Sequence, residues 1–138
     1  MKPFLILPFL LVTASGLIAA EPIKFVSPDQ SSVLVVDKSG RRDLIELRSG
    51  KTVHRLFEEN LDSTFKPKLA KAFDASLNKV GRIVPPTFTS ARWVSPDEVE
   101  IKGRSSVIIN NDNGDAFSFT ASVTKSGTVR DVTVTPVK

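Results

Sequence analysis

The sequence predicts a mostly β protein of the α+β class, in which antiparallel β-meanders form a sandwich or a curled sheet and one amphipathic helix packs on it. Short alternating or continuously apolar stretches recur along the chain, separated by turn signals such as Ser49-Gly50 and Asn113-Gly114. One stretch, residues 64–80, has the period of a helix instead. The chain contains no cysteine, so its stability must come from a packed core rather than from disulfides.

Residues 1–20 are interpreted as a secretory signal peptide. Lys2 provides a positive start, residues 4–18 are an apolar run and Ala19-Ala20 supplies the small residues of a cleavage site. The run is shorter than the ~20 residues that a membrane-spanning helix needs, so we expect cleavage and no stable membrane span afterwards. Residues 21–138 then form a single β-rich domain that is exported, periplasmic or secreted, in a bacterial setting that also suits the lack of cysteine.

Residues 21–57 are expected to form a first meander of four strands. The pattern alternates at 23–26 and is continuously apolar at Val33-Leu34-Val35-Val36, as in a strand that is buried on both faces. Two further strands are expected at 44–47 and 52–57. Short turns join the four strands, at Ser27-Pro28-Asp29, Lys38-Ser39-Gly40 and Ser49-Gly50.

Residues 64–80 are expected to form the helix. Thr64 is a suitable N-cap and Gly81 a suitable end. The apolar face consists of residues at helical spacing, namely Leu69, Phe73, Leu77 and Val80. Four lysines decorate the outer side, namely Lys66, Lys68, Lys71 and Lys79. We interpret them as a solvated surface rather than as a track for phosphate groups.

Residues 88–136 are expected to form the second meander, which Pro85-Pro86 separates from the helix. Asn113-Gly114 and Ser126-Gly127 are its hairpin turns, because both dipeptides tolerate positive φ. The candidate strands are residues 88–93, 99–101, 105–110, 116–123 and 129–134.

One short phrase occurs twice, as Phe25-Val26-Ser27-Pro28-Asp29 and as Trp93-Val94-Ser95-Pro96-Asp97. With Leu44-Ile45-Glu46-Leu47-Arg48-Ser49-Gly50-Lys51, the first copy makes residues 25–57 resemble one blade of a WD40-like or TolB-like β-propeller, whereas the second half resembles it only at 93–97. A propeller needs at least about four blades of ~40 residues, so this chain is too short to close one. The resemblance implies a relic blade built into a compact sheet, or several copies that assemble.

Side chains for nucleophilic or zinc chemistry are scarce. The chain has one histidine, His54, which we interpret as a partly exposed strand residue opposite a turn. We expect no cofactor and no metal site. A calcium ion is worth considering only at the oxygen-rich segment 110–115, with Asp112 and Asp115 as ligands, although a hairpin turn accounts for the same residues.

Two pairs of carboxylates are close in the sequence, Glu58-Glu59 and Glu98 with Glu100. Both pairs lie in polar stretches, so we interpret them as solvated groups with no catalytic role. The 19 basic and 15 acidic residues are spread along the chain, so no face is marked for binding nucleic acid.

These observations favour an exported, non-enzymatic binding or interaction module whose ligand is unknown and whose partner is a protein or another component of the cell envelope. An alternative is a small carboxylate-dependent hydrolase or carbohydrate-active enzyme that uses Glu98, Glu100, Asp112 and Asp115. A second alternative is a structural subunit that pairs with other copies through open sheet edges.

Overall fold

The computed structural model describes residues 21–59, 61–111 and 114–137, so the predicted signal peptide lies outside the described residues. The first strands are β1 (Ile23–Val26), β2 (Ser32–Asp37), β3 (Leu44–Ser49) and β4 (Thr52–Arg55). They are followed by the helix α1 (Leu61–Ala72) and a short 3-10 turn (Leu77–Lys79). The remaining strands are β5 (Val80–Ile83), β6 (Thr87–Ser95), β7 (Glu98–Ile109), β8 (Gly114–Thr124) and β9 (Val129–Pro136).

These strands form two antiparallel sheets. The four-stranded sheet is a meander in the order β1-β2-β3-β4. The five-stranded sheet has the order β9-β8-β7-β5, and β6 pairs with β7 on the same edge as β5. The predicted class, a mostly β protein with antiparallel sheets and one helix, is therefore confirmed in the described part of the chain. The relation of residues 25–57 to a propeller blade stays a prediction.

β5 and β6 together make one interrupted strand along β7. Val80 pairs with Ile109 at one end of β7, and Ser95 pairs with Glu98 at the other. Pro85-Pro86 causes the interruption, because proline cannot donate to the ladder and is tolerated only on an edge such as this one. Val80, predicted to be the last residue of the helix, instead begins β5, a strand that the sequence did not indicate.

β7 is one strand of 12 residues where the sequence predicted two shorter ones. The region between the two predictions contains Gly103, where neighbouring chains come unusually close. A Cβ atom at Gly103 would lie 2.7 Å from the Thr87 carbonyl oxygen and 2.8 Å from the Phe119 ring. Glycine is therefore required there by the packing of β6 and β8, and it does not mark the end of a strand.

The helix begins and ends earlier than the range 64–80 predicted from the sequence. Asp74 has φ +53°, and the Asp74 and Ala75 N–H groups donate to the carbonyls of Lys71 and Ala70. This is the Schellman arrangement that ends helices, usually with glycine at the position of Asp74. Because an aspartate fills that position, the sequence offered no clear signal for the end. Lys79 consequently lies outside the helix, in the 3-10 turn.

The core of the molecule joins both sheets and the helix. Phe65 of α1 is 1% exposed, and its ring centroid lies 5.0 Å from that of Phe119 and 6.0 Å from those of Phe57 and Phe117. Leu69, one turn later in the helix, is fully buried in the same core. The aliphatic residues of β2, β3, β7 and β8 surround these rings.

The hairpin between β7 and β8 has two asparagines with positive φ at its start. Asn110 and Asn111 have φ +56° and +61°, and β8 begins at Gly114. Asparagine tolerates the left-handed region better than most other side chains, so Asn110 and Asn111 suit the positions where the chain leaves β7. Asn113, which was predicted to form the turn with Gly114, lies outside the described residues.

The backbone at Phe57 is strained, since this buried residue has φ +60°. We expect Phe57→Gly to be at least as stable as Phe57→Ala. Both variants lose the ring contacts, but only alanine keeps the left-handed penalty of about 1–2 kcal/mol. Unfolding in urea measures the difference.

The matched control is Phe117, which is fully buried within β8. There, glycine should be less stable than alanine by about 0.5–1 kcal/mol, the usual order. If the alanine variant were also more stable than the glycine variant at position 57, the assignment of strain to Phe57 would be contradicted.

Candidate functional site

A cleft of about 680 Å³ lies beside β4. Its volume falls within the roughly 300–1,000 Å³ of typical ligand clefts. Its lining includes Val53, His54 and Arg55 of β4, Glu58 and Glu59 after it, and Gly127 in the turn between β8 and β9. Side chains from both faces of β4 contribute, so the cleft lies at the edge of the four-stranded sheet.

The edge of β4 that faces the cleft carries unpaired backbone groups. Antiparallel pairs alternate between residues that exchange hydrogen bonds and residues that do not. The Leu56 N–H donates to the Ile45 carbonyl at 2.9 Å, which sets that alternation. Val53 and Arg55 therefore direct their N–H and C=O groups away from β3. Within the described part of the chain, β4 pairs only with β3, so these groups remain available to a further strand.

His54 lies on the inner face of the sheet, in register with the fully buried Leu47 and Leu34. Its half-buried ring packs against the backbone of Gly127, where a Cβ atom would lie 2.6 Å from the His54 Cγ. The single histidine therefore closes one end of the core and also lines the cleft. The sequence indicated a strand residue opposite a turn, but not that this turn belongs to the other sheet.

The carboxylates of the cleft are mostly held by arginines. Glu46 accepts a hydrogen bond from Arg48 at 2.8 Å and forms an ion pair with Arg55 at 3.5 Å. Glu58 lies 3.8 Å from Arg42. Glu59 is exposed and makes no ion pair with any described residue. The predicted pair Glu58-Glu59 is thus brought to the same cleft as His54, with Glu58 paired to an arginine and Glu59 without an ion pair to any described residue.

The other predicted carboxylates lie elsewhere. Glu98 binds Arg130 of β9, two strands away, at 2.9 Å, and Glu100 binds Arg92 of the adjacent strand β6 at 3.0 Å. Asp115 is exposed at the far end of β8, about 23 Å along the strand from the partner of Glu100 at ~3.3 Å per residue.

Asp112 lies outside the described residues, so the calcium hypothesis stays a prediction. Among the residues that are described, no group of three or more His, Asp or Glu side chains is placed to hold a metal ion. In the same part of the chain, no helix has the length and apolar character needed to cross a membrane.

The two Ser-Pro-Asp turns meet around one lysine. The Lys125 ammonium lies 3.0 Å from Asp97, and the hydrogen bond from Lys125 to Asp97 raises the pKa of the lysine, with Asp29 adding to the effect. Asp29 accepts hydrogen bonds from the Ser31 N–H and from the Ser27 and Ser31 hydroxyls, which lower its pKa from 3.8 to about 2. Both turns were predicted from the sequence, but their common neighbour Lys125 was not.

Two glycines with positive φ offer a test of the contact between His54 and Gly127. Gly50 has φ +59° with open space around it, whereas Gly127 has φ +87° and lies against His54. We expect Gly50→Ala to lose about 1–2 kcal/mol of unfolding free energy from backbone strain alone. Gly127→Ala should lose a further 1–3 kcal/mol, roughly the cost of overpacking. Equal losses in urea unfolding would show that His54 moves away freely.

The low pKa of Asp29 predicts a specific acid sensitivity. The folded-state pKa lies below the unfolded value, so the stabilisation is present above about pH 4 and is lost as the pH falls toward 2. We expect Asp29→Asn to show a smaller fall in unfolding free energy between pH 4 and pH 2 than the parent protein. Asp131→Asn is the control, since Asp131 is exposed and bonds to no described side chain. The same acid profile in the parent and Asp29→Asn would contradict the role of these hydrogen bonds.

Comparison of the chain with models of protein families, with curated proteins and with solved structures finds no match. The cleft and the open edge of β4 therefore have to be interpreted from their own geometry.

Proposed function

We propose that this protein is a non-enzymatic binding module that takes up an extended segment of a partner protein as a fifth strand beside β4. The observation that carries the proposal is the open edge of β4, where Val53 and Arg55 direct unpaired backbone groups into a cleft of about 680 Å³. Strand addition uses such an edge for main-chain hydrogen bonds and the flanking cleft for side-chain selection.

The opposite edge of the same sheet, β1, contacts β6 of the other sheet. The Trp93 Nε1–H donates to the Phe25 carbonyl at 2.8 Å, and the Phe25 and Phe88 rings lie 5.6 Å apart. The Phe88 N–H and C=O are in turn bound by Asp43 and Lys38 at 2.7 and 3.0 Å. β1 therefore lies against β6, whereas the edge of β4 faces the cleft. Because sheet edges in soluble proteins are usually protected, this contrast favours β4 as the binding edge.

The side chains around the edge indicate what kind of segment fits. Val53 is 52% exposed and would contact an apolar residue of the added strand. Glu58 and Glu59 at the end of β4 provide negative charge, of which Glu59 is uncompensated. The partner segment is therefore extended, alternates apolar and polar residues, and places a basic residue near Glu59.

The hydrolase alternative receives less support from the same geometry. It requires two carboxylates that converge on one substrate bond. Glu98 and Glu100 each bind a separate arginine on the sheet surface, away from the cleft. In the cleft, Glu46 and Glu58 also face arginines, which favours a recognition surface over acid–base chemistry.

The setting that we propose is outside the cytoplasm, in line with the signal-peptide prediction for residues 1–20. The four-stranded meander that presents β4 is the part of the chain that resembles a propeller blade. Blades in propellers stand beside other blades. We propose that this one is a relic unit whose outer edge serves a partner segment instead.

A random twelve-residue peptide library displayed on phage tests the proposal with residues 21–138 as bait. We expect selected peptides to alternate apolar and basic residues and to slow hydrogen exchange at the Val53 and Arg55 amides. Val53→Pro should abolish binding while the fold is kept, because this N–H makes no bond within the sheet. Val53→Ala, which keeps the N–H, is the matched control.

Binding that survives Val53→Pro, or that leaves exchange at both amides unchanged, would overturn strand addition at this edge. Size-exclusion chromatography distinguishes binding of a partner segment from pairing between copies of this chain. A dimer that Val53→Pro converts to a monomer would assign the edge to self-association, the structural-subunit hypothesis, in place of a partner segment.

A further inference from the structure

We propose that the outer face of the five-stranded sheet is a second binding surface, separate from the cleft, and that its ligand is a carboxylated polysaccharide. The surface consists of two adjacent rows of side chains that cross β6, β7, β8 and β9. One row is Ser90, Lys102, Thr120 and Thr133. The other is Thr87, Arg104, Ser118 and Thr135. We call these eight residues the hydroxyl–cation patch.

The alternation of the strands places the patch outside. Ile101 and Gly103 of β7 and Phe119 and Ala121 of β8 are buried, so the residues between them point to the opposite face. Six of the eight residues of the patch are exposed, and the remaining two, Ser118 and Thr120, are half-buried. The patch therefore presents hydroxyl groups and two cations to solvent.

The charges of the patch are uncompensated, unlike those next to it. On the same face of β7, Glu98 binds Arg130 of β9 and Glu100 binds Arg92 of β6. Neither row of the patch contains a carboxylate, and Lys102 and Arg104 make no ion pair with any described residue. Because the two cations are two residues apart on one strand, ~7 Å separates them. This spacing leaves both free for anionic groups of one ligand.

A shallow concavity of about 430 Å³ lies over part of the patch, between Lys102, Arg104 and the hydroxyls of Ser118 and Thr120. Thr89 also lines it, at a position where the pairing of β6 with β7 is irregular between Phe88 and Ser90. This bulge adds one more hydroxyl beside the two cations. The surface is thus shaped locally and is not a uniformly flat sheet.

The chemistry of the patch matches a carboxylated polysaccharide. Arg104 can bind a carboxylate through two parallel hydrogen bonds, and Lys102 supplies a second positive charge. Hydroxyl side chains both donate and accept, as sugar hydroxyls do. The patch has no aromatic side chain on which nucleobases could stack, which disfavours single-stranded nucleic acid. Its four strands span ~14 Å at ~4.8 Å per strand, enough for an extended polymer to cross.

Calorimetric titration of residues 21–138 with polygalacturonate tests this inference, with uncharged dextran as the control polymer. We expect binding that weakens as salt is raised, and no binding of dextran. The double variant K102Q/R104Q should weaken binding by at least about tenfold, because two charge-assisted contacts are lost. The variant K68Q/K71Q removes the same net charge from exposed positions of α1 and should bind like the parent protein.

A second variant separates sugar recognition from general attraction of anions. T120V/T133V keeps both cations but removes two hydroxyls, and it should weaken polygalacturonate binding several-fold. Three results would overturn the proposal. They are a parent protein that does not bind polygalacturonate, binding that K102Q/R104Q leaves unchanged, and binding that K102Q/R104Q and K68Q/K71Q weaken equally. Duplex DNA that binds the patch as tightly as polygalacturonate would also overturn it, since the ligand would then be any polyanion.

Discussion

The packing of Phe65 is the contact on which the rest of the structure depends. This one side chain of the helix touches Phe57, which follows the four-stranded sheet, and Phe117 and Phe119 of the five-stranded sheet. Aromatic rings bury large apolar areas and add specific geometry. The cluster therefore ties the three parts of the molecule into one core without a disulfide. It also explains why the chain accepts a strained backbone at Phe57, because that backbone conformation directs the Phe57 ring toward Phe65.

The sequence allowed the class of the fold and most strands to be predicted, because period-two alternation and turn dipeptides are local signals. The exact course of the chain between 72 and 103 was not predictable in the same way. Asp74 ends the helix in a position where glycine is the usual signal. Residues 102–104 were predicted to lie between two strands, although Gly103 is required within one strand by the close approach of the Thr87 carbonyl and the Phe119 ring. At Gly103, a contact between residues distant in sequence decided the local structure.

The candidate surfaces could be predicted even less, since they are made by neighbours that are far apart in sequence. His54 and Gly127 meet across the two sheets, and nothing near His54 in the chain indicates that contact. Lys102 and Arg104 have no special local pattern, and only the strand register shows that hydroxyls surround them. The carboxylates Glu98 and Glu100 were recognisable as a pair on one face, but the arginines that hold them belong to other strands.

Trp93 gives the molecule a built-in optical reporter. It is the only tryptophan of the chain, and its indole N–H bonds to the carbonyl of Phe25, 68 positions away. Either sheet can form its own ladder without that bond, which arises only when the two sheets dock. Tryptophan emission of the unmodified protein would consequently follow docking rather than formation of the individual sheets. Contacts between residues so distant in sequence form slowly in general. Stopped-flow fluorescence thus gives direct access to the step that completes this fold.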